Sequence, residues 1–239
     1  MKFNLYRRKN VNSTHTLIYH HLGLGDHILI SGGIKYLRRV GVLGPAVCIC
    51  RAQYYESVKQ LYGDLDNFEL LIINNETEVD QISNNWKGKK LTIGFENLQD
   101  WNHFDKDFYR ILNVNFEERW NSFTIPRDYM EEANLLNEIK LPEKFAFVHD
   151  DQARGYLIND NFIRQDLKII KPYLTKSIFD WVPVLEKAKE IHCICSSFKH
   201  LTDSLENVSA ELFYHHSYVN SGKPRETSIT SSRKNWKII

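Results

Sequence analysis

The chain of 239 residues is long for a single domain and sufficient for two small ones, each able to bury an apolar core. Its 31 Lys and Arg residues nearly balance its 30 Asp and Glu residues, which excludes an overall field that attracts nucleic acid, so any phosphate site must be local. Hydrophobic residues at 42% exclude a disordered chain, and the lack of a long apolar run or signal peptide predicts a cytoplasmic protein without a transmembrane segment.

The first half of the chain alternates predicted strands with predicted helices. The run THTLIYHH has the alternation of a strand, and DHILISGGIKYLRRV places Ile28, Ile34 and Leu37 near one helical face. Further elements follow in the same order, with strands predicted at residues 46–50, 68–73 and 89–95, and helices predicted at residues 53–63, 75–86 and 105–120.

The second half repeats this alternation after a helix flanked by Pro126 and Pro142. Strands are predicted at residues 145–151, 166–173, 190–197 and 209–216, and helices at residues 177–189 and 198–206. Because parallel neighbours need a crossover helix, we predict an α/β protein with two parallel, doubly wound sheets, one in a domain of residues 1–140 and one in a domain of residues 141–239. The tail, residues 220–239, looks irregular but ends in aromatic and apolar residues, so we expect it to pack back onto a domain.

The four cysteines form two C-x-C pairs, each inside an apolar run with the alternation of a strand. The pairs are Cys48 with Cys50 and Cys193 with Cys195. A zinc site would require two distant strands to converge, and the usual C-x-x-C spacing is missing. Small buried thiols are therefore the favoured interpretation, and free thiols are typical of a reducing compartment.

The loop HLGLGDH follows the first predicted strand, where an open α/β sheet places its ligand crevice. Gly23 and Gly25 allow a sharp turn and a close approach to a ligand, with Asp26 and His27 beside them. One interpretation is that Asp26 only caps the helix by accepting its free N–H groups. The alternative is a ligand site. A dinucleotide fingerprint is disfavoured because Leu29 stands near the position of the third glycine.

The stretch FAFVHDDQARGYLI places ionisable groups at the end of the first strand of the second half: His149, Asp150, Asp151 and Arg154. One interpretation is a surface turn in which the aspartates bond their own backbone and pair with Arg154. The alternative is a ligand site, in which the guanidinium fork of Arg154 suits phosphate oxygens.

The stretch EIHCICSSFKHL joins a strand to a helix through Ser196 and Ser197. Paired hydroxyls and the free N–H groups of a helix start suit a diphosphate, and Lys199 or His200 could add positive charge. The serines could equally be a helix cap only, and they lack the glycines of a nucleophile elbow. In the tail, Arg233 belongs to a basic cluster that is either solvated or in contact with phosphate.

Two of these stretches resemble motifs of the heptosyltransferase-like glycosyltransferases of the GT-B type. GLGD, Gly23 to Asp26, is similar to the G-x-G-D pattern in the first loop of that family. CSSFKHLTD, Cys195 to Asp203, is similar to its strand, Ser/Thr-rich turn and helix, with Thr202 where Ala is usual. VHDDQARG has a looser likeness to a His- and Arg-bearing loop of GT-B fucosyltransferases.

The resemblance implies two Rossmann-like domains that face each other across a cleft, with the acceptor on the first and a nucleotide-diphosphate sugar on the second. It implies an inverting transfer that needs no metal and no other cofactor. Asp26 would take the proton from the hydroxyl of a glycan or glycolipid acceptor. Positive charge from Arg154, and from Lys199 or Arg233, would stabilise the departing diphosphate together with Ser196 and Ser197.

Two other functions remain open at this point. A nucleotide-sugar or glycan-binding protein would keep the GT-B fold without turnover. A metal-dependent phosphohydrolase would use the histidine and carboxylates of HDD, residues 149–151.

Overall fold

The computed structural model describes residues 14–100, 103–152, 155–220, 223–226 and 229–239, with the side chains of Glu96 and of residues 217–228 left aside. These residues form two compact units: the first comprises the residues up to Asp100 and Phe104–Pro126, and the second comprises His103 and Arg127–Ile239. Among the described helices, none is long and apolar enough to cross a membrane.

The first unit contains four strands and five α-helices among its described residues. The strands are β1 (Thr16–Tyr19), β2 (Ala46–Arg51), β3 (Phe68–Ile73) and β4 (Lys90–Thr92). The helices are α1 (Leu24–Arg39), α2 (Tyr55–Leu61), α3 (Thr77–Asn85), α4 (Phe104–Leu112) and α5 (Glu118–Asn121). The helical region expected from Asp105 to Trp120 is thus two separate helices.

The first sheet is entirely parallel, with the strand order β3-β2-β1-β4. This is the order of a Rossmann half, and the chain reverses its winding direction between β1 and β4. Ligands of open α/β sheets bind outside the carboxyl ends of the strands at such a reversal. The loop after β1, which carries Gly23 to Asp26, therefore lies at the expected position for a site.

Helix α1 is fixed by close contacts with α4 and α5. A Cβ on Gly32 would overlap the carbonyl oxygen of Glu118, so only glycine allows this approach. The hydroxyl of Tyr109 donates to the carbonyl oxygen of Leu29 at 2.9 Å and accepts the N–H of Gly33 at 3.1 Å. The amino end of α1, where Asp26 lies, thus belongs to a helix packed rigidly into the core.

The second unit contains seven strands and three α-helices among its described residues. The strands are β5 (Phe145–His149), β6 (Lys168–Ile170), β7 (Glu190–Cys193), β8 (Glu211–Tyr214), β9 (Ser217–Asn220), β10 (Lys223–Glu226) and β11 (Trp236–Ile238). The helices are α6 (Tyr129–Ile139), α7 (Val182–Lys187) and α8 (Ser197–Ser204). Strands β9 and β10 form a separate antiparallel pair.

The main sheet of the second unit is parallel, with the order β11-β8-β7-β5-β6. Read from the other edge, this is the 2-1-3-4-5 order of flavodoxin-like sheets, whose winding reverses between the first and third strands. In this chain those strands are β5 and β7. The stretches that begin at His149 and Ser196 follow them directly.

Helix α6 packs with the second unit, so the boundary lies near Pro126 instead of at residue 140. Arg127, just before α6, donates to Glu132 on α6 at 2.7 Å and to Glu186 on α7 at 3.2 Å, and Lys176 donates to Glu131 on α6 at 3.1 Å. These ion pairs join the helix to elements that follow it in the chain. The two prolines bracket the helix, but they do not indicate which unit it packs against.

The end of the chain is regular where an irregular tail was expected. Strand β11 joins the main sheet beside β8. Asp203 on α8 accepts hydrogen bonds from Ser232 and from the indole N–H of Trp236. The last residues of the tail are therefore tied to both the sheet and α8.

Candidate functional site

In the first unit, Asp26 is the third residue of α1 and its carboxylate caps the helix. Gly23 is the N-cap, and its backbone N–H donates to Oδ2 of Asp26 at 3.2 Å. A Cβ on Gly23 would lie 2.6 Å from that oxygen, so glycine is required for this approach. The capping interpretation of Asp26 is thus realised, and the residue as a whole is partly exposed at the loop after β1.

The electrostatic environment of Asp26 suits proton transfer. Burial raises the pKa of its carboxyl group to about 6, against the opposing effects of the Gly23 N–H and the positive charge of Arg51. A base works best when its pKa lies near the operating pH, because it is then ionised and still strong enough to hold a proton. Asp26 therefore has two roles available, as a cap and as a general base.

His27, expected beside Asp26 as a substrate contact, points into the core. Its side chain has no exposed surface, and its Nδ1 lies 3.1 Å from Nε2 of His20. Burial lowers the pKa of His27 to about 3, so the ring is neutral at neutral pH. We therefore leave His27 out of the substrate-binding surface.

The turn after β4 meets the loop after β1 at the reversal of the first sheet. Nε2 of His21 accepts the backbone N–H of Phe95 at 2.9 Å. Gly94 has a φ of 94°, and a Cβ there would lie 2.6 Å from Nε2 of His21. Sequence reasoning missed this contact, and the only available signal was the glycine that directly follows the apolar strand run.

Arg51 ends β2 and was also missed from the sequence. It forms an ion pair with Glu76, and its charge acts on Asp26. Beside it lies a cavity of about 350 Å³ at the carboxyl ends of β2 and β3, lined by Arg51, Ala52, Gln53, Asn74, Asn75 and Glu76. The first unit therefore places a cation and several amides on the same edge of the sheet as Asp26.

In the second unit, the structure brings together His149 and Ser196 at the reversal between β5 and β7. Nδ1 of His149 lies 2.9 Å from Oγ of Ser196. Ser196 is the N-cap of α8, and its Oγ accepts the backbone N–H of Lys199 at 3.4 Å. Ser197 is the first residue of the helix and is partly exposed. This corner joins a histidine, two hydroxyls and a helix N-terminus, an arrangement that suits an anion.

The aspartates after β5 take part in local structure. Asp150 accepts a hydrogen bond from Nζ of Lys171 at 2.7 Å. Asp151 and Tyr156 exchange two backbone hydrogen bonds of 2.8 Å each, which closes a short turn. Arg154 lies outside the described residues, so its expected phosphate contact stays a prediction.

Lys199 and His200 lie on α8 with their side chains buried. The ammonium group of Lys199 pairs with Asp203 at 2.7 Å and donates to Oγ1 and the carbonyl oxygen of Thr230 at 2.7 and 3.2 Å. All three of its protons are thus engaged within the protein, and we do not retain it as a phosphate ligand. Arg233 is exposed on the C-terminal segment.

The cysteines are free thiols, with Cys48 and Cys50 in the first unit and Cys193 and Cys195 in the second. Burial raises the pKa of Cys50 to about 12 and that of Cys48 still further. These groups are therefore protonated at neutral pH, as expected of buried thiols.

The sequence matches no protein-family model and no curated protein. Solved structures do match. The glycosyl transferase family 9 protein from Veillonella parvula DSM 2008 has a TM-score of 0.54 at 9% identity, over 84% of this chain and 81% of that one. The bacterial iron-containing dodecameric glycosyltransferase TibC from enterotoxigenic E. coli H10407 has a TM-score of 0.50 at 12% identity, over 86% of this chain and 58% of that one.

The fold is that of these two glycosyltransferases, with two parallel sheets flanked by helices. This confirms the fold class expected from the alternation of strands and helices and from the GLGD and CSSFKHLTD motifs. At 9% and 12% identity the likeness concerns the fold, so the chemistry rests on the residues at the strand ends.

Proposed function

We propose that the chain is a glycosyltransferase that moves a sugar from a nucleotide-diphosphate sugar to a hydroxyl of a glycan or glycolipid acceptor. The observation that carries the proposal is the carboxyl group of Asp26 at the strand-end loop of a GT-B fold, where burial raises its pKa to about 6. Inversion at the anomeric carbon and independence from metal ions are part of the proposal.

In this reaction Asp26 is the general base. Its carboxylate accepts the proton of the acceptor hydroxyl as that oxygen attacks the anomeric carbon. The new bond joins the acceptor oxygen to the sugar, and the bond from the sugar to the diphosphate breaks. A single displacement of this kind inverts the configuration. The base must lie within hydrogen-bond reach of the hydroxyl, which a loop at the ligand edge of the sheet makes possible.

The second unit provides for the leaving group. Negative charge grows on the diphosphate as the sugar departs, and the free N–H groups at the start of α8 attract it. Ser197 offers a hydroxyl donor, and the His149–Ser196 pair adds a second polar group at the same corner. Arg154 stays in the proposal as a cation for the diphosphate. Lys199 drops out because its ammonium is paired with Asp203.

Incubation with UDP-, GDP- and ADP-sugars and a panel of glycan acceptors, followed by measurement of released nucleoside diphosphate, tests the proposal. We expect Asp26→Asn to reduce release by a factor of about 10² to 10⁴, the usual contribution of a general base. The thermal shift caused by the nucleoside diphosphate should stay unchanged, because the base acts on the acceptor. Asp80→Asn, which changes an exposed carboxylate of α3, is the matched control.

Three outcomes contradict the proposal. A thermal shift with nucleotide sugars but no release in any combination indicates a binding protein with the same fold. Release that is equal in the parent and in Asp26→Asn removes Asp26 from the chemistry. Loss of activity in a chelator contradicts metal independence and favours the hydrolase that would use residues 149–151.

A further inference from the structure

Two buried histidines contact the loop that carries Asp26, and neither belongs to the chemistry described above. His20 follows β1 and His27 lies in the second turn of α1, and both side chains have no exposed surface. Nε2 of His20 lies 3.1 Å from Nδ1 of His27, with the rings edge to face at 4.1 Å between centroids. Nδ1 of His20 accepts the backbone N–H of Leu22 at 3.2 Å.

The backbone donor determines the protonation of both rings. The Leu22 N–H can only donate, so Nδ1 of His20 carries a lone pair and its proton is on Nε2. That proton is donated to Nδ1 of His27, which leaves the His27 proton on Nε2, where it has no hydrogen-bond partner among the described residues. A neutral ring is also what burial favours, since it lowers the pKa of both histidines.

This protonation disfavours a metal site at the same place. Nitrogens of His20 and His27 and the sulfur of Cys48 lie within 4.8 Å of one another, as the ligands of a cation can. To bind a metal through Nε2, His20 would have to carry its proton on Nδ1. The Leu22 N–H already points at that nitrogen. Burial also raises the pKa of the Cys48 thiol, which opposes the thiolate that a metal requires.

Leu22 has a backbone conformation that needs support. Its φ is 64°, in the left-handed region that residues with a Cβ rarely adopt, while its side chain is buried. Its neighbour Gly23 is the N-cap whose N–H binds Asp26 and whose carbonyl oxygen accepts the N–H of His27 at 3.2 Å. A change in the backbone conformation of Leu22 would therefore move the N–H group of Gly23, which donates to the Asp26 carboxylate.

We propose that His20 and His27 are positioning residues, which hold Leu22 in its left-handed conformation and thereby hold Gly23 and the carboxyl group of Asp26 in place. The catalytic part of this inference rests on the proposed function. The structural part does not, because hydrogen exchange and titration measure it without donor or acceptor.

Two variants of one residue separate the hydrogen bond from the packing. His27→Asn places an amide oxygen near the position of Nδ1, so the acceptor for His20 is kept. His27→Leu keeps a buried side chain and removes the acceptor. We expect amide exchange at Leu22 to be about tenfold faster or more in His27→Leu and within about threefold of the parent in His27→Asn. Ile30→Leu, an apolar change in a buried residue of the same helix, is the control.

A second readout follows Asp26 directly by ¹³C NMR. The parent carboxyl group should titrate with a pKa of about 6, and in His27→Leu that pKa should fall toward the ordinary value as the freed loop admits water. In transfer assays His27→Leu should lower kcat with little change in the thermal shift from nucleoside diphosphate, and His27→Asn should restore it. If His27→Leu does not fold, His27→Gln removes the same acceptor with a polar side chain.

Three results overturn the inference. Leu22 exchange and the Asp26 pKa that are unchanged in a folded His27→Leu protein show that the pair positions nothing. Equal effects of His27→Asn and His27→Leu assign the change to packing. A thiolate-to-cobalt absorption band on addition of Co²⁺, lost in Cys48→Ser, shows a metal site instead. If exchange and titration behave as expected and no transfer is found, the positioning stands and the proposed function fails.

Discussion

The two units place their candidate residues at equivalent points of their sheets, but the groups at those points differ in kind. The first unit has an ionisable carboxyl group there, and the second has hydroxyls and backbone N–H groups. In the first unit, burial leaves Asp26 as a carboxyl group with a pKa of about 6, able to change protonation near neutral pH. In the second unit, Lys171 is paired with Asp150 and Lys199 with Asp203, and the strand-end corner offers hydroxyls and a helix N-terminus.

This difference matches the two tasks of the displacement reaction that we propose. Proton removal needs a group whose charge can change, whereas binding of an anionic leaving group needs fixed dipoles that are already oriented. The first unit has the former and the second has the latter. The predictions below test this separation, beginning with the largest expected effect.

The first prediction concerns Lys199, whose ion pair with Asp203 indicates a role in stability and not in ligand binding. Asp203→Ala removes the carboxylate that pairs with a buried ammonium, so we expect a loss of about 3–5 kcal/mol in the free energy of unfolding. Urea denaturation measures it. Glu211→Ala, which removes the partner of Lys237 in an exposed ion pair, should change stability far less. An Asp203→Ala protein as stable as the parent would contradict a structural role for the Lys199–Asp203 pair.

The second prediction concerns how much the buried carboxyl group of Asp26 lowers the free energy of unfolding when it is charged. A raised pKa means that the folded state holds the proton more tightly than the unfolded chain, so stability falls as the pH rises from 3.8 through about 6. Asn carries no charge, so Asp26→Asn should be more stable at pH 8 by about 1–3 kcal/mol and equal to the parent below the ordinary aspartate range.

Thermal unfolding at several pH values measures this difference, with Asp80→Asn as an exposed control. An Asp26→Asn protein that is less stable than the parent at pH 8 would show that the carboxylate stabilises the fold as a cap. In that case the charged form of Asp26 would not destabilise the folded protein, contrary to what a raised pKa predicts.

The third prediction concerns the corner of the second unit. Ser196→Ala removes the N-cap of α8 and the partner of His149, so we expect a loss of about 1 kcal/mol in stability. The thermal shift from nucleoside diphosphate should also be smaller. Ser197→Ala, at the first helical residue, should leave stability nearly unchanged while it weakens the nucleotide response. A full nucleotide response in both variants would remove this corner from the donor site.

The sequence was sufficient for the order of the strands as far as β8 and of most of the helices, and for the loops that end at Asp26 and Ser196. Periodicity reports which residues face a core, and strand-to-helix loops carry glycines and caps that can be recognised. For Lys199 the i,i+4 spacing to Asp203 was a readable signal of its ion pair, whereas its second partner, Thr230, lies far along the chain and could not be predicted. The hydrogen bond between His20 and His27 could not be predicted from the sequence either, because it forms only when α1 packs against β1.

The most direct test of the central claim is the pH dependence of kcat/KM for transfer, once a donor and acceptor are found. This profile reports the pKa of the essential base in the free enzyme. We predict an acid limb with its midpoint at about 6, which is lost together with the activity in Asp26→Asn. A midpoint at or below about 4, the value of an ordinary aspartate, would contradict the account, and so would an Asp26→Asn protein with the parent's rate.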